Sequence, residues 1–309
     1  MKDQRVLVTG AGGRVGAAIA LKLARENEVH GIDLFDRARE RLERGGVIFH
    51  QLCLGTDKLD VLPETFDYVF HQAVTWAVTN REQEAAAHNV SVKGVVRLMK
   101  KYRGARRIVL GSTGGVVRES PEPVDEAALR EPDTNPYHAY KFAMEVVAEA
   151  IADEEGVHIV IPRYYWPWGV SNGFPHTWVI VPMLRGRPVS ICRAKPVRTT
   201  PLFMPDCVRY SIAIAEAPEV PRVIHVSGAE VVTLEQMADI VGRLIGVEPT
   251  FEDTRAPFVS FLGNPSLCIK LFGPPEYDVR RSLQAAVEWH RQHPDEHKTR
   301  DVFDAPASW

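Results

Sequence analysis

A glycine-rich turn near the amino end constrains the fold of this chain more than any other feature. The apolar run Arg5–Thr9 leads directly into Gly-Ala-Gly-Gly-Arg-Val-Gly at residues 10–16, and a run of helical period follows. A strand, a glycine turn and a helix in this order are typical of a dinucleotide site, whose pyrophosphate meets the free N–H groups that begin the helix. The alternative is a purely structural turn. The residues predicted to contact the cofactor here are Gly10, Gly13, Arg14, Val15 and Gly16.

An acidic residue follows the turn at the spacing that a ribose-binding carboxylate needs. Asp33 ends the second predicted strand, 20 residues after Gly13, where a carboxylate can hydrogen-bond the adenosine ribose. Its charge would repel the 2′-phosphate of NADP, so NAD is the predicted cofactor. Arg37 and Arg39 stand just beyond the strand and could accommodate that phosphate, but we favour a solvated helix surface for both.

The first half of the chain alternates short apolar runs with longer runs of helical period, which predicts an α/β fold with a parallel sheet. The predicted strands are Arg5–Thr9, Val29–Asp33, Val47–Cys53, Tyr68–Gln72, Arg107–Ser112 and His158–Arg163. The predicted helices are Val15–Arg25, Glu82–Tyr102 and Tyr137–Asp153. The segment Tyr164–Pro205 shows little periodicity and is predicted to be irregular. Later elements are predicted at Val208–Ala217, Val223–Ser227, Leu234–Ile245 and Arg281–Arg291.

Composition excludes several classes of protein. The chain has a net charge of −3 and a pI of about 6.4, so it lacks the excess of Lys and Arg that is typical of a nucleic-acid binder. No apolar run approaches the length of a membrane span, and the amino end lacks a secretory signal, so we expect a cytoplasmic protein. The four cysteines lie far apart, and the spacing of His71, His138 and His176 does not suggest a metal site.

Two residues at helical spacing predict an acid–base pair. Asn135-Pro136 suits the start of a helix, and Tyr137 and Lys141 then lie four residues apart on one face. A nearby ammonium, joined by the positive nicotinamide ring, stabilises phenolate and should lower the pKa of Tyr137, so that it can act as a base toward a substrate hydroxyl.

Two hydroxyl residues stand at the predicted carboxyl end of the strand Arg107–Ser112, where ligands bind in an open parallel sheet. We predict that Thr113 hydrogen-bonds the reacting oxygen, with Ser112 as the second choice. The alternative is that both hydroxyls only cap a turn.

Taken together, these motifs resemble the extended short-chain dehydrogenase/reductases, and within them the NAD-dependent epimerase/dehydratase family. The resemblance spans residues 5 to 245. It implies a Rossmann-type doubly wound sheet at 1–163, with later segments around 206–227 returning to it, and a smaller substrate-binding lobe at 164–205 and 228–309. It also implies a homodimer formed through the helices Glu82–Tyr102 and Tyr137–Asp153. The residues that carry it are Thr9–Gly16, Asp33, Phe70–Ala73, Asn89, Val90, Gly94, Ser112, Thr113, Tyr137, Lys141 and Pro162–Tyr164.

The resemblance implies a role for individual residues. Tyr137 would be the base, Lys141 would bind the nicotinamide ribose, and Thr113 would orient the substrate. Asp206 resembles an acid of the substrate segment, although a helix N-cap explains it equally well. Further cofactor contacts would come from Ala73, Val74 and Asn89.

Substrate recognition is predicted after Arg163. Basic residues cluster between Arg185 and Arg198 with no Asp or Glu among them, which suits a pyrophosphate or carboxylate, although solvated loop charge is the alternative. Aromatic residues there offer stacking faces for a sugar or base, but such residues are more often core. The residues predicted to bind substrate are Thr113, Arg163, Tyr164, Trp166, Arg187 and Arg198.

These observations and the resemblance predict an NAD-dependent enzyme that moves a hydride between a sugar carbon and nicotinamide. The resemblance alone implies that this enzyme is a nucleotide-sugar epimerase. The sequence departs from the family at Cys53, where an Asp usually contacts adenine, and it lacks the Gly-rich Arg-Asp-Phe pattern that precedes the Asp206 motif. A dehydrogenase of a free sugar or sugar acid is therefore the competing interpretation. A non-enzymatic NAD(P)-sensing regulator is a third, against which Tyr137 and Lys141 argue.

Overall fold

The structure is a computed structural model that describes residues 1–75, 80–254 and 260–295. The chain divides into two compact units. Unit 1 contains residues 1–118, 129–163 and 208–224, and unit 2 contains 119–128, 164–207 and the described residues from 225 onward. Within the described residues, no helix is both long and apolar enough to cross a membrane.

The described strands are, in chain order, β1 (Arg5–Thr9), β2 (Glu28–Asp33), β3 (Val47–Gln51), β4 (Tyr68–His71), β5 (Arg107–Leu110), β6 (Ser112–Thr113), β7 (Ile159–Tyr164), β8 (Pro167–Trp168), β9 (Val189–Ile191), β10 (Arg198–Thr199), β11 (Leu202–Phe203), β12 (Val223–Val226), β13 (Val232–Thr233) and β14 (Phe251–Asp253). The α-helices are α1 (Arg14–Leu23), α2 (Arg39–Arg44), α3 (Arg81–His88), α4 (Val95–Lys101), α5 (Pro136–Glu155), α6 (Val181–Leu184), α7 (Met204–Glu216), α8 (Leu234–Ile245), α9 (Ser266–Phe272) and α10 (Val279–Gln292).

Unit 1 is built on a sheet with the strand order β12-β7-β5-β4-β1-β2-β3, to which β6 adds by pairing with β7. The pairs β1–β2, β2–β3, β1–β4, β4–β5 and β5–β7 are parallel. The chain winds outward in both directions from β1 and β4, which places the topological switch point between them. Ligands bind at such a point beyond the carboxyl ends of the strands, and Thr9 and His71 are the paired residues there. The predicted doubly wound α/β sheet is confirmed.

Each unit has its own apolar core. In unit 1, side chains of β1, β4, β5 and β7 pack with α4 and α5, and Leu7, Leu98, Ile108 and Met144 are completely buried. In unit 2, α8 and α10 supply Met237, Ala238, Val241, Leu283 and Ala286 to a second cluster. Strands in unit 2 are short, and they pair as β10–β13, β8–β11 and β9–β14.

Two predictions about secondary structure were wrong. The helix predicted over Glu82–Tyr102 is divided by a π-helical segment at Asn89–Gly94. Gly55 packs against this segment so closely that a Cβ on it would lie 2.6 Å from the Asn89 carbonyl oxygen. The segment predicted to be irregular contains a second π-helical turn, His176–Ile180, which continues into α6. Pro182 stands in the first turn of α6, where proline is tolerated.

Candidate active site

The glycine turn of unit 1 brings three parts of the backbone into close contact. Gly10 has a φ of +67°, and a Cβ on it would lie 2.6 Å from the Ala73 backbone. A Cβ on Gly16 would lie 2.1 Å from the Gly10 carbonyl oxygen. Both positions therefore require glycine, one for its conformation and both for the space.

The first turn of α1 offers backbone donors to an anion. Its N-cap is Gly13, which has no side chain to accept hydrogen bonds from that turn. Arg14 and Val15 are the first two helical residues and are half-buried. Unsatisfied N–H groups and the positive end of the helix dipole favour a phosphate at this place.

The Asp33 carboxylate lies directly against the glycine turn. Its Oδ2 accepts a 2.8 Å hydrogen bond from the Gly12 N–H, and its Oδ1 accepts one of 3.1 Å from the Phe35 N–H. Arg37 lies over the Phe35 ring, and Arg39 lies over the Phe49 ring. The interpretation of both arginines as solvated helix surface stays a prediction. We call Gly10–Gly16 together with Asp33 the glycine half of the site.

The loop after β4 carries the next predicted cofactor residues. The Ala73 N–H donates to Thr9 Oγ1 at 3.4 Å, and Val74 is 36% exposed. Asn89 is half-buried and begins the π-helical segment that packs against Gly55.

Thr9 and His71 join the two strands at the switch point. Thr9 Oγ1 lies 2.8 Å from Nδ1 of His71, and both side chains are fully buried. Burial, followed by the charge of Lys141, lowers the pKa of His71 to about 3. The imidazole is therefore neutral at physiological pH.

Tyr137 and Thr113 meet at the start of α5. The Asn135 side chain caps this helix by accepting a hydrogen bond from the Tyr137 N–H at 3.0 Å, and Pro136 is the first helical residue. Thr113 ends β6 and hydrogen-bonds the Tyr137 phenol. Ser112 instead donates to Glu145 Oε1 at 2.6 Å. The structure therefore brings Thr113, and not Ser112, to the phenol.

Lys141 lies one turn further along α5 and is buried. Its Nζ donates to the Gly111 carbonyl oxygen at 2.6 Å. Burial lowers the pKa of Lys141 to about 8, while the charge of Glu145 opposes that change. A pKa of about 8 leaves most of the ammonium charged at pH 7.

The protein's own groups do not lower the pKa of Tyr137, and the predicted lowering, which includes the charge of a bound nicotinamide ring, stays a prediction. Burial raises the pKa of Tyr137 above its usual range, and the Thr113 hydrogen bond and the Arg14 charge only partly oppose this. Desolvation disfavours phenolate more than these neighbours favour it. The resting phenol is therefore protonated. We call Thr113, Tyr137, Lys141 and Glu145 the phenol half of the site.

Glu145 is the residue that sequence reasoning missed. Its carboxylate is completely buried and pairs with Arg163, whose Nε and Nη2 lie 3.0 and 2.7 Å from Oε1 and Oε2. The signal was present, because Tyr137, Lys141 and Glu145 recur at four-residue intervals on one helix face.

These contacts correct the prediction that Arg163 and Tyr164 bind substrate. Arg163 is 2% exposed, and its Nε and Nη2 bond Glu145, which makes it part of a buried ion pair. Tyr164 is the last residue of β7 and is 6% exposed. The family motif Pro162–Tyr164 therefore contributes a structural contact, because Arg163 balances the charge of Glu145, which lies 18 residues earlier in the sequence.

Unit 2 holds the remaining predicted substrate residues. Trp166 is half-buried, and its Nε1 donates to the Phe261 carbonyl oxygen at 3.2 Å. Arg187 is exposed. Arg198 donates to the Pro121 carbonyl oxygen and lies 3.9 Å from Glu122.

The basic cluster of unit 2 meets acids that are distant in the sequence. Lys195 Nζ lies 2.8 Å from Glu119, in the same short segment that contains Glu122. Part of the cluster's charge is therefore balanced within the protein, although no Asp or Glu stands inside the cluster itself. The Asp206 carboxylate, 1% exposed, accepts hydrogen bonds from the Glu276 and Tyr277 N–H groups, so it fixes the segment before α10.

Comparison with known proteins decides the family. Residues 6–227 match the model of the NAD-dependent epimerase/dehydratase family. The chain belongs to this family. A search of curated protein sequences gave no match.

Solved structures with the same fold include sugar-nucleotide epimerases. UDP-glucuronic acid 4-epimerase from Bacillus cereus, solved with UDP-glucuronic acid and NAD, is 21% identical with a TM-score of 0.82, over 94% of this chain and 99% of that chain. UDP-glucose 4-epimerase from Thermotoga maritima, solved with UDP-glucose, is 23% identical with a TM-score of 0.80 over the same shares. UDP-N-acetylglucosamine 4-epimerase from Methanobrevibacter ruminantium is 21% identical with a TM-score of 0.82, over 95% and 100%.

The geometry of unit 1 fits the cofactor of this NAD-dependent family. The space at Gly10 and Gly16 would be filled by any Cβ, and the start of α1 carries no capping side chain. A carboxylate stands beside the turn at Asp33, and the buried Lys141 lies one helical turn after Tyr137 on α5. This donor set matches a dinucleotide that has both a pyrophosphate and ribose hydroxyls.

Proposed function

We propose that the protein is an NAD-dependent epimerase of a nucleotide sugar, with Tyr137 as the base that accepts the proton of a sugar hydroxyl. The observation that carries the proposal is the group formed by Thr113, Tyr137 and Lys141, in which a hydroxyl touches a phenol one helical turn from a buried ammonium. Membership of the epimerase/dehydratase family and the sugar nucleotides bound by its structural neighbours support it.

In this proposal the two halves of the site hold different parts of the cofactor. The first turn of α1 would receive the pyrophosphate, and Asp33 would accept hydrogen bonds from the adenosine ribose. Ala73, Val74 and Asn89 would line the cofactor near the switch point. Lys141 would donate to the nicotinamide ribose.

The chain's own contribution to the reaction is proton transfer and positioning. Thr113 orients the sugar hydroxyl toward Tyr137, which removes its proton and later returns one. Burial keeps the resting phenol protonated, and the Arg14 charge opposes this only in part. The phenol would therefore become a base only with further positive charge, to which Lys141, one helical turn along α5, would contribute. NAD, when bound, supplies the hydride acceptor and a further positive charge that favours phenolate.

The proposal is tested by incubating the protein with NAD and separate UDP-hexoses and UDP-uronic acids, and by following each sugar by proton NMR. We expect one sugar nucleotide to convert into its epimer without net formation of NADH. Absence of conversion across such a panel, with NAD shown to bind, would contradict the proposal.

A dehydrogenase of a free sugar or sugar acid is the second candidate. The observation in its favour is that the sequence lacks the Gly-rich Arg-Asp-Phe pattern of nucleotide-sugar members and has Cys53 in place of an adenine-contacting Asp. An epimerase reoxidises its cofactor within each cycle, whereas a dehydrogenase must release NADH. We therefore expect denatured, purified protein to release stoichiometric NAD if it is an epimerase, and an empty site together with NADH formation on free sugars if it is a dehydrogenase.

We also propose that the protein forms a homodimer through α4 and α5. Val146 on α5 is 44% exposed, so a partner subunit that covered it would remove apolar surface from water. Analytical ultracentrifugation should give twice the chain mass, and Val146→Asp should shift the protein toward monomer.

A further inference from the structure

The phenol half contains a buried charge that proton transfer does not require directly. Glu145 is 0% exposed, and its two carboxylate oxygens are fully engaged by Ser112 Oγ at 2.6 Å and by two nitrogens of Arg163. Arg130 Nη1 lies 3.6 Å from Oε2. The Glu145 carboxylate is therefore held by the hydroxyl of Ser112 in β6 and by two guanidinium groups, those of Arg163 in β7 and of Arg130.

Stability alone does not explain this arrangement. Burying a carboxylate and a guanidinium removes both from water, and well-packed apolar residues of similar volume often serve a fold equally well. A buried ion pair is therefore weak support for a purely structural role. The position of Glu145 relative to the reacting groups gives a more specific explanation.

Glu145 connects two members of the proposed catalytic group. Ser112, which donates to Glu145, is followed in β6 by Thr113, the residue that hydrogen-bonds Tyr137. Lys141 stands one helical turn before Glu145 on the same face of α5. The carboxylate thus fixes the strand end that carries the threonine and places a negative charge beside the lysine.

We propose that Glu145 is the positioning residue of this site, which sets Thr113 through Ser112 and keeps the buried Lys141 ammonium charged. The proposal rests on the proposed function, because it assigns Glu145 a role toward the groups that act on the sugar.

Among the described groups around Lys141, Glu145 is the anion whose charge favours the ammonium. From β4, His71 is neutral, because its pKa is about 3. The link between β5 and β6 contributes the uncharged Gly111 carbonyl, and α5 contributes the Tyr137 phenol and Glu145. Arg163 of β7 and Arg130 are cations that face Glu145. Because burial lowers the pKa of Lys141 to about 8 and Glu145 opposes it, removal of the Glu145 charge should lower this pKa further.

The experiment measures the ionisation of Lys141 without substrate or NAD. Protein labelled with carbon-13 at the lysine ε carbon is titrated by NMR from pH 6 to pH 10.5, and the Lys141 signal is assigned by its absence in Lys141→Arg. We expect the wild-type midpoint near pH 8, and Glu145→Gln should move it down by at least about one pH unit. The matched control is Glu149→Gln, one turn further along α5, whose carboxylate pairs with Arg130 at 2.8 Å. It should leave the midpoint within about 0.3 pH units of wild type.

Two further variants separate charge from position. Glu145→Asp keeps the charge but is one methylene shorter, so it should preserve the Lys141 midpoint while lowering kcat. Ser112→Ala should do the same, and it remains informative if Glu145→Gln does not fold.

A Lys141 midpoint in Glu145→Gln equal to wild type, or an unshifted midpoint near 10.5 in both proteins, would overturn the charge role. Unchanged kcat in Ser112→Ala would overturn the positioning role. Failure of the proposed function can be distinguished from failure of this proposal. In that case the Lys141 titrations would give the expected midpoints, but no sugar would be epimerised.

Discussion

The glycine half and the phenol half of the site in unit 1 are built by different physical means. Backbone makes the glycine half, where the positive φ of Gly10 and the missing Cβ of Gly16 create space, and its one carboxylate, Asp33, is bonded by backbone N–H groups. Charged side chains make the phenol half, where Lys141 and Glu145 are buried and the pKa of Tyr137 is raised. On the proposed function, shape would hold the cofactor in the glycine half, and buried charge would prepare the proton acceptor in the phenol half.

The largest effect on the glycine half should come from filling its space. In Gly16→Ala the new Cβ would lie 2.1 Å from the Gly10 carbonyl oxygen, so the turn must shift. We expect NAD affinity, measured by isothermal titration calorimetry, to fall tenfold to about a hundredfold, as for other overpacked sites. Gly104→Ala is the matched control, because an added Cβ there meets no atom within 4 Å. Equal affinity of both variants would show that the turn is not the binding element.

His71 at the switch point, whose pKa is lowered by burial and by the charge of Lys141 in the phenol half, should make the protein less stable in acid. Since the pKa of His71 is about 3 in the fold and 6.5 in the unfolded chain, the unfolded state binds the additional proton between these values. Stability is therefore complete above pH 6.5 and decreases as pH falls. At pH 5 this loss is about 2 kcal/mol.

The check compares urea unfolding of wild type and His71→Asn at pH 7.5 and pH 5. The variant should lose about 2 kcal/mol less than wild type between the two values. His158→Asn is the control, because His158 is exposed and should show the wild-type dependence. If His71→Asn lost as much unfolding free energy as wild type between pH 7.5 and pH 5, the burial of a neutral imidazole at His71 would be contradicted.

A smaller effect should follow from neutralising the carboxylate of the glycine half. Asp33→Asn should weaken NAD binding about tenfold, because the hydrogen bonds from the adenosine ribose to a charged carboxylate are lost. The variant should also discriminate less between NAD and NADP, because the carboxylate no longer repels the 2′-phosphate of NADP. Asp36→Asn, an exposed residue three positions later, should change neither affinity. Tighter binding of NADP than of NAD by the wild-type protein would contradict the assignment of Asp33 to the adenosine ribose of NAD.

The smallest effect should separate the two hydroxyls of β6. Thr113→Ala removes the group that touches the phenol and should lower kcat about tenfold, whereas Ser112→Ala should lower it about threefold. Thr113→Ser, which keeps the hydroxyl, should recover most of the rate. A larger loss in Ser112→Ala would reverse the two roles.

The difference between the halves also explains what the sequence could predict. Gly10, Gly16 and Asp33 lie within a single strand–turn–helix–strand unit, so spacing alone indicated their arrangement. The bond from Ser112 to Glu145 joins residues 33 positions apart, and that from Lys141 to Gly111 joins residues 30 apart. Such contacts depend on packing between β6, β7 and α5. The raised pKa of Tyr137 and the pairing of Arg163 therefore required the structure.

Unit 2 shows the same limit for secondary structure. Leu234–Ile245 was predicted with its observed bounds. The structure shows the local signals behind this agreement, a strong apolar period and a capping box between Thr233 and Gln236. The two-residue strands β8 and β11 carry no such signal, since their pairing is set by residues more than 30 positions apart.

The measurement that tests the account most directly is the rate at which wild-type protein and Tyr137→Phe epimerise the same sugar nucleotide, with the NAD affinity of both determined in parallel. Removing the phenolic oxygen should lower kcat at least about a hundredfold while NAD affinity stays within about threefold of wild type. Retained turnover in Tyr137→Phe with intact NAD binding would show that another group accepts the proton and would contradict the account.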